Sequence, residues 1–297
     1  MNTLVIKGIF YAILGAFCFG IMPILSKSLY GETGVDPFFF LMVRYVIAAV
    51  LLWIYLLARK NRPKPEVNWS VLSLIAATAL CYFIVTAAYF IALQYIDASL
   101  NSLLVFTFPV FTPFLGFLFF KEKLRPIPVI AAVVGFTGCA LLIGGYQLKG
   151  VPGETLGLIL GLGSGVIYAF YTLFGQRITI WLEPVTVTAL IITIVAVFFL
   201  AIRLHWVWSN PQPLKVYLVA GIVAVISTIL ANIFYFEAIR RIGAVKAGIF
   251  GSFEPLFTTV LAIFFLRERM GLTQWLGALL IFGGMVIVQQ PWKRASH

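Results

Sequence analysis

Residues 89–122 read YFIALQYIDASLNSLLVFTFPVFTPFLGFLFFKE, and residues 235–268, shifted by 146, read YFEAIRRIGAVKAGIFGSFEPLFTTVLAIFFLRE. Aligned without gaps they share eleven residues: Tyr89/Tyr235, Phe90/Phe236, Ala92/Ala238, Ile96/Ile242, Ala98/Ala244, Pro109/Pro255, Phe111/Phe257, Thr112/Thr258, Leu115/Leu261, Phe119/Phe265 and Glu122/Glu268. Apolar composition alone would give about 3. The paired prolines and the paired glutamates, each glutamate between two basic residues, are the matches that chance accommodates worst. The chain carries an internal repeat.

The rest of the chain is as apolar as these stretches. Of 297 residues, 62% are hydrophobic and 10% are charged, with a mean hydropathy of +1.05. Soluble domains carry about 25% charged residues. So few charges cannot cover a globular surface, which leaves a polytopic membrane protein. Charges and turn residues divide the chain into ten apolar runs, near 6–28, 36–58, 69–93, 97–119, 127–145, 155–181, 184–204, 214–237, 243–266 and 273–290. The clearest breaks are Arg59–Glu66, Lys121–Pro128 and Ser209–Pro213. Five runs fall in each half, 1–146 and 154–290. An odd number makes the second half enter the membrane inverted. The expected fold is therefore an all-α integral membrane protein, with ten transmembrane helices in two inverted five-helix repeats. Inverted repeats suit a carrier that alternates between two states around a midplane site.

Fourteen basic residues lie on the side of the N-terminus and six on the other, which predicts both termini in the cytoplasm. The net charge of +11 follows from that bias, and no nucleic-acid partner is expected. Cys18, Cys81 and Cys139 all lie in apolar runs and read as packing thiols. His205 and His297 stand far apart, and no zinc-protease, nucleophile-elbow or P-loop motif is present. Neither a metal nor a cofactor is expected, and nothing points to an enzyme or to a channel.

The runs Phe119-Phe120-Lys121-Glu122-Lys123-Leu124 and Phe265-Leu266-Arg267-Glu268-Arg269-Met270 resemble the ends of the two EamA domains of the drug/metabolite transporter superfamily. Each is followed by a glycine-containing run, with Gly135 and Gly138 in one half and Gly277, Gly283 and Gly284 in the other. Lys27 and Arg44 also sit where that family often has such residues. The resemblance implies a ten-helix carrier of small organic solutes with a central cavity between its halves. Where the family often has Trp-Gly in its first helix, this chain has Phe19-Gly20.

Ionisable residues inside apolar runs are costly unless paired or hydrated, so they point to function. Glu254 lies eleven residues after Gly243 and twelve before Leu266, near the midplane, and its repeat mate is Phe108. An acid there can bind a substrate amine, exchange a proton, or tie helices together. Arg44, eight residues after Asp36, can snorkel, pair with an acid, or bind a substrate carboxylate. Asn101 and Asn232 can orient a solute or bond neighbouring helices. Tyr89, Tyr168 and Tyr235 can line an aromatic cavity or pack. Pro109, Pro113 and Pro255 are positioned to kink helices. Gly157, Gly161 and Gly165 form a small-residue face for close helix packing.

These readings combine into an inner-membrane secondary transporter of small metabolites that works by alternating access, and the resemblance implies export of amino acids or related metabolites. Proton coupling runs through Glu254, and multidrug or organic-cation efflux is the alternative. The expected partners are a small-molecule substrate and the lipid bilayer. The orientation has a direct test. In a cysteine-free background, Lys64→Cys is expected to react with a membrane-impermeant maleimide only after the cells are opened, and Lys149→Cys in intact cells. The opposite pattern reverses the topology.

Overall fold

The computed structural model describes residues 3–59, 69–120, 130, 133–135, 137–138, 140–142, 145, 152–179, 181–209, 211–251 and 253–289. Every regular element among them is helical. In chain order these are α1 (Thr3–Thr33), α2 (Pro37–Ala58), α3 (Trp69–Tyr95), α4 (Ala98–Val105), α5 (Phe108–Phe120), α6 (Glu154–Ile178), α7 (Pro184–Ser209), α8 (Leu214–Val223), a π-helical turn (Ala224–Leu230), α9 (Ala231–Gly251), α10 (Phe253–Phe265) and α11 (Leu272–Gln289). The Lys121–Pro128 break, most of the Arg59–Glu66 break, much of the 127–145 run, Cys139 and His297 lie outside the described residues, as do the side chains of Gln176 and His205.

The expectation of ten transmembrane helices in two inverted five-helix repeats is overturned. Among the described residues, six helices are long and apolar enough to cross a bilayer: Leu4–Thr33, Pro37–Ala58, Trp69–Tyr95, Glu154–Gly175, Pro184–Arg203 and Leu214–Ile242. The 97–119 run is divided into α4 and α5, neither of span length. The described residues of the 243–266 run belong to the end of α9 and to the 13-residue α10, and Ser252 between them lies outside the described residues. The apolar part of α11, Leu272–Gly284, is also short.

Pro109 explains the division of the 97–119 run. It is the second residue of α5. A proline has no N–H to give, and in the first turn of a helix that donor has no intrahelical acceptor. Pro109 therefore opens a new short helix instead of kinking a long one. The expected break near 238–242 is absent, because α8, the π-helical turn and α9 follow one another without a gap. Arg241, which reads as a loop residue, stays in the helix. Its Nε donates to Glu237 at 3.0 Å, one turn back, and its guanidinium lies 5.1 Å from the Tyr11 ring centre.

Local signals set the other ends. α1 stops at Gly34, whose φ of +62° is the left-handed conformation that glycine adopts at a helix C-terminus. Asp36 caps α2 by accepting the Phe39 N–H at 2.9 Å, and Pro37 begins the helix. Arg203 of α7 then grips both Asp36 carboxylate oxygens, at 3.0 and 2.9 Å, fixing α7 beside the start of α2.

Close helix approach depends on small residues. α1 lies along α9 and the start of α10. A Cβ at Gly20 would stand 3.0 Å from the Phe257 Cβ and 3.3 Å from the Glu254 carbonyl oxygen. Gly138 and Gly277 meet backbone to backbone, each Cβ position falling 2.6–2.7 Å from the other's carbonyl oxygen. The 157/161/165 face of α6 packs against the end of α3 and against α4. A Cβ at Gly165 would lie 2.6 Å from Thr107 Oγ1 and 3.0 Å from the Leu104 and Val105 carbonyl oxygens, and one at Gly161 3.0 Å from Asn101 Oδ1. Large apolar side chains such as Ile54, Leu118, Val197, Leu214 and Phe264 are exposed, as lipid-facing residues are.

Gly161→Leu and Gly165→Leu are expected to lower thermal stability in detergent by an overpacking cost of about 1–3 kcal/mol. Ile159→Ala, on an exposed side of α6, is expected to cost less. Equal melting temperatures for all three would refute close packing on this face.

Candidate functional site

Three stretches of the helices converge. One is the turn between α4 and α5, where Thr107 donates its hydroxyl to the Leu104 carbonyl at 2.7 Å. The second is the start of α10 at Phe253–Pro255, and the third is the π-helical turn. A cavity with about 480 Å³ of empty space, its open mouth included, is walled by Val105 and Phe106 from the first and Glu254 from the second. α2 and α3 contribute Arg44, Tyr82, Thr86, Tyr89 and Phe90, and Phe19 and Tyr168 complete the aromatic wall. A smaller adjoining pocket shares Phe19, Phe106, Tyr168 and Glu254 and adds Phe108 and Tyr235.

Arg44 is 1% exposed. Its Nε donates to Thr228 Oγ1 at 2.6 Å, and its guanidinium carbon lies 4.8 and 5.4 Å from the ring centres of Tyr45 and Phe90. Nη1 is buried and has no hydrogen-bond partner. Among the described residues no carboxylate pairs with it, and its burial leaves no route to the interface. Thr228 belongs to the π-helical turn and donates its own hydroxyl to the Val223 carbonyl five residues back, at 3.2 Å. π-helical turns change which side chains face a site and recur at functional positions.

Glu254 is the second residue of α10 and borders both pockets. Its carboxyl has no hydrogen bond or ion pair to another described residue. Cation and acid thus border one aromatic chamber. Tyr89 and Tyr168 border it too, whereas Tyr235 borders only the smaller pocket. Asn101 and Asn232 border neither. Asn101 Nδ2 donates to the Tyr89 carbonyl at 2.9 Å, joining α4 to α3. Asn232 Nδ2 donates to the Thr228 carbonyl at 2.7 Å and to Tyr82 Oη at 3.3 Å, while Tyr171 donates to its Oδ1 at 3.4 Å. It holds in place the π-helical turn, the cavity-wall ring of Tyr82 and the Tyr171 ring stacked on it.

Some site residues carried no sequence signal. Thr228 is one hydroxyl in an apolar run, and Tyr82 and Thr86 are unremarkable in α3. Glu268 did carry one, as a repeat residue, but its task appears only in the fold. Its carboxylate accepts the Ala98 N–H at 2.7 Å, the Ser99 N–H at 3.1 Å and the Ser99 hydroxyl at 2.6 Å. An acid from the second half thereby caps α4 in the first. Lys27 stands 3.6 Å from Glu268 and 3.7 Å from Asp97. Arg267, at φ +56°, turns the chain so that Glu268 points back.

The sequence model of the EamA-like transporter family matches residues 6–144 and again 155–289. The chain belongs to that family. EamA-like relatives include the uncharacterized transporter YcbK of Bacillus subtilis (strain 168), 26% identical over 290 residues, covering 95% of this chain and 91% of the relative. An uncharacterized transporter of Archaeoglobus fulgidus is 23% identical over 261 residues, covering 86% and 89%. A solved structure, described only as "Crystal structure of protein", shares the fold at a TM-score of 0.67 and 18% identity, over 94% of this chain and 98% of its own. This EamA-like protein is thus a multi-pass membrane transporter of small molecules, with no catalytic motif. Among the described residues no three of His, Cys, Asp and Glu gather closely enough to hold a metal ion.

Proposed function

We propose that the protein is a secondary transporter that exports amino acids or related small metabolites across the cytoplasmic membrane by alternating access. Both termini face the cytoplasm, and the halves 1–146 and 154–290 move against each other around the cavity. The observation that carries this reading is the cavity itself. An acid and a cation, Glu254 and Arg44, border one aromatic chamber beside the interruption of the 97–119 run. Such a chamber can desolvate a small apolar solute while two opposite charges receive its polar ends. Glu254 is the group that binds a substrate amine or a proton, since a carboxyl at that depth changes its ionisation as its hydration changes. Tyr89 and Tyr168 line the path, with Tyr235 beside it. Asn101 and Asn232 support those walls.

Organic-cation efflux is the second reading, favoured by an acid among aromatic rings. The buried positive charge of Arg44 on the same cavity argues against it.

The test is a screen of amino acids and organic cations in proteoliposomes, with and without a pH gradient, for the wild type and Glu254→Gln. The variant keeps shape and hydrogen bonding and removes titration. We expect wild-type amino-acid transport to vary across roughly pH 5.5 to 8. Glu254→Gln, folded to wild-type levels, should lose transport or that dependence. Normal transport by the variant over the whole range would make the acid structural. Transport of organic cations alone would select the second reading.

A further inference from the structure

Arg44 presents a donor for which the fold provides no acceptor. A guanidinium has five N–H groups and no means of shedding its charge. The Nε–H is used by Thr228, the guanidinium carbon lies 4.8 and 5.4 Å from the Tyr45 and Phe90 ring centres, and Nη1 is buried without a partner on a side chain that lines the cavity. A buried cation with open donors is costly. It is tolerated when the missing acceptor arrives from outside the protein.

We propose that Arg44 is the anion-recognising group of the cavity, that its Nη1 binds a carboxylate carried by the substrate, and that Thr228 is the residue that positions it. The proposal rests on the carrier reading above and narrows the substrate class to solutes bearing a carboxylate. Arg44 borders the cavity, and its Nη1 has N–H groups that no described residue accepts, which a carboxylate can receive and a cationic ligand cannot. Glu254 borders the same chamber, so a solute carrying both an ammonium and a carboxylate meets an opposite charge at each end.

Thr228 makes the geometry specific. Its hydroxyl hydrogen goes to the Val223 carbonyl, which leaves an oxygen lone pair for Arg44 Nε. Asn232 Nδ2 holds the Thr228 carbonyl from the other side. The π-helical turn therefore fixes one end of the guanidinium and leaves Nη1 for a ligand. Thr228 touches no cavity-lining surface itself, so it acts through Arg44.

The experiment uses the full chain in lipid nanodiscs and three probes of matched carbon skeleton: L-leucine, 3-methylbutylamine, which lacks its carboxylate, and 4-methylpentanoate, which lacks its amine. Calorimetry of the wild type alone tests the claim, whatever the folding of any variant. L-leucine is expected to bind at least about tenfold more tightly than 3-methylbutylamine, the range of one charge-assisted contact. Arg44→Gln should abolish that preference. Thr228→Val should weaken both carboxylate-bearing probes and leave 3-methylbutylamine unchanged, and Thr228→Ser should restore them, which a merely structural role would not do. Equal wild-type binding of L-leucine and 3-methylbutylamine, or a preference that survives Arg44→Gln or Thr228→Val, overturns the proposal and leaves the carrier reading standing. Binding of none of the three probes by the wild type overturns both.

Discussion

In the hydrocarbon of a bilayer no water serves a free backbone N–H or C=O, so helices run unbroken unless the break is buried in protein or lines a hydrated space. That constraint organises this molecule. The apolar run at 97–119 is interrupted, and that interruption and the start of α10 border the same chamber. Thr107 satisfies the Leu104 carbonyl at one of them, and prolines remove donors that would otherwise be orphaned in the first turns of α5 and α10. The irregular backbone is therefore the reason for the cavity's location. The site residues are those that happen to flank it.

How much of this could be read in advance depends on the kind of signal. Six span-length helices follow from apolar run length, and α1, α2, α3 and α7 begin within a few residues of where composition ends the loops. Pro109 and Pro255 are legible as a repeated pair, but the fold places Pro109 in a first turn, where it opens a helix rather than kinks one. A proline's consequence depends on which turn of a helix it occupies, and sequence does not number the turns. Arg240 and Arg241 looked like a loop because charge is expensive in lipid. The cost falls away once Arg241 reaches Glu237 and the Tyr11 ring.

The same division holds at the site. Glu254 and Arg44 stand out in any apolar sequence, because a formal charge there demands an explanation. Asn101 and Asn232 stood out as well, but an amide can serve a neighbouring helix as readily as a solute, and both are committed to protein acceptors. Thr228 gave no signal. Its role depends on a π-helical turn, and a hydroxyl within Ala224–Leu230 does not announce that the helix around it has widened by one residue.

The cap on α4 has a consequence for the birth of the molecule. α4 has eight residues, too few to hold a helix on its own, and its first two N–H groups rest on a carboxylate 170 and 169 positions later in the chain. Ribosomes deliver the first half long before Glu268 exists. During that interval the segment after α3 lacks the acceptor that completes it, and lipid offers no substitute. The first half thus leaves the ribosome as a template awaiting its other part. Closure of the Glu268 contact is a late event in assembly, one that joins two regions 170 positions apart in a single step.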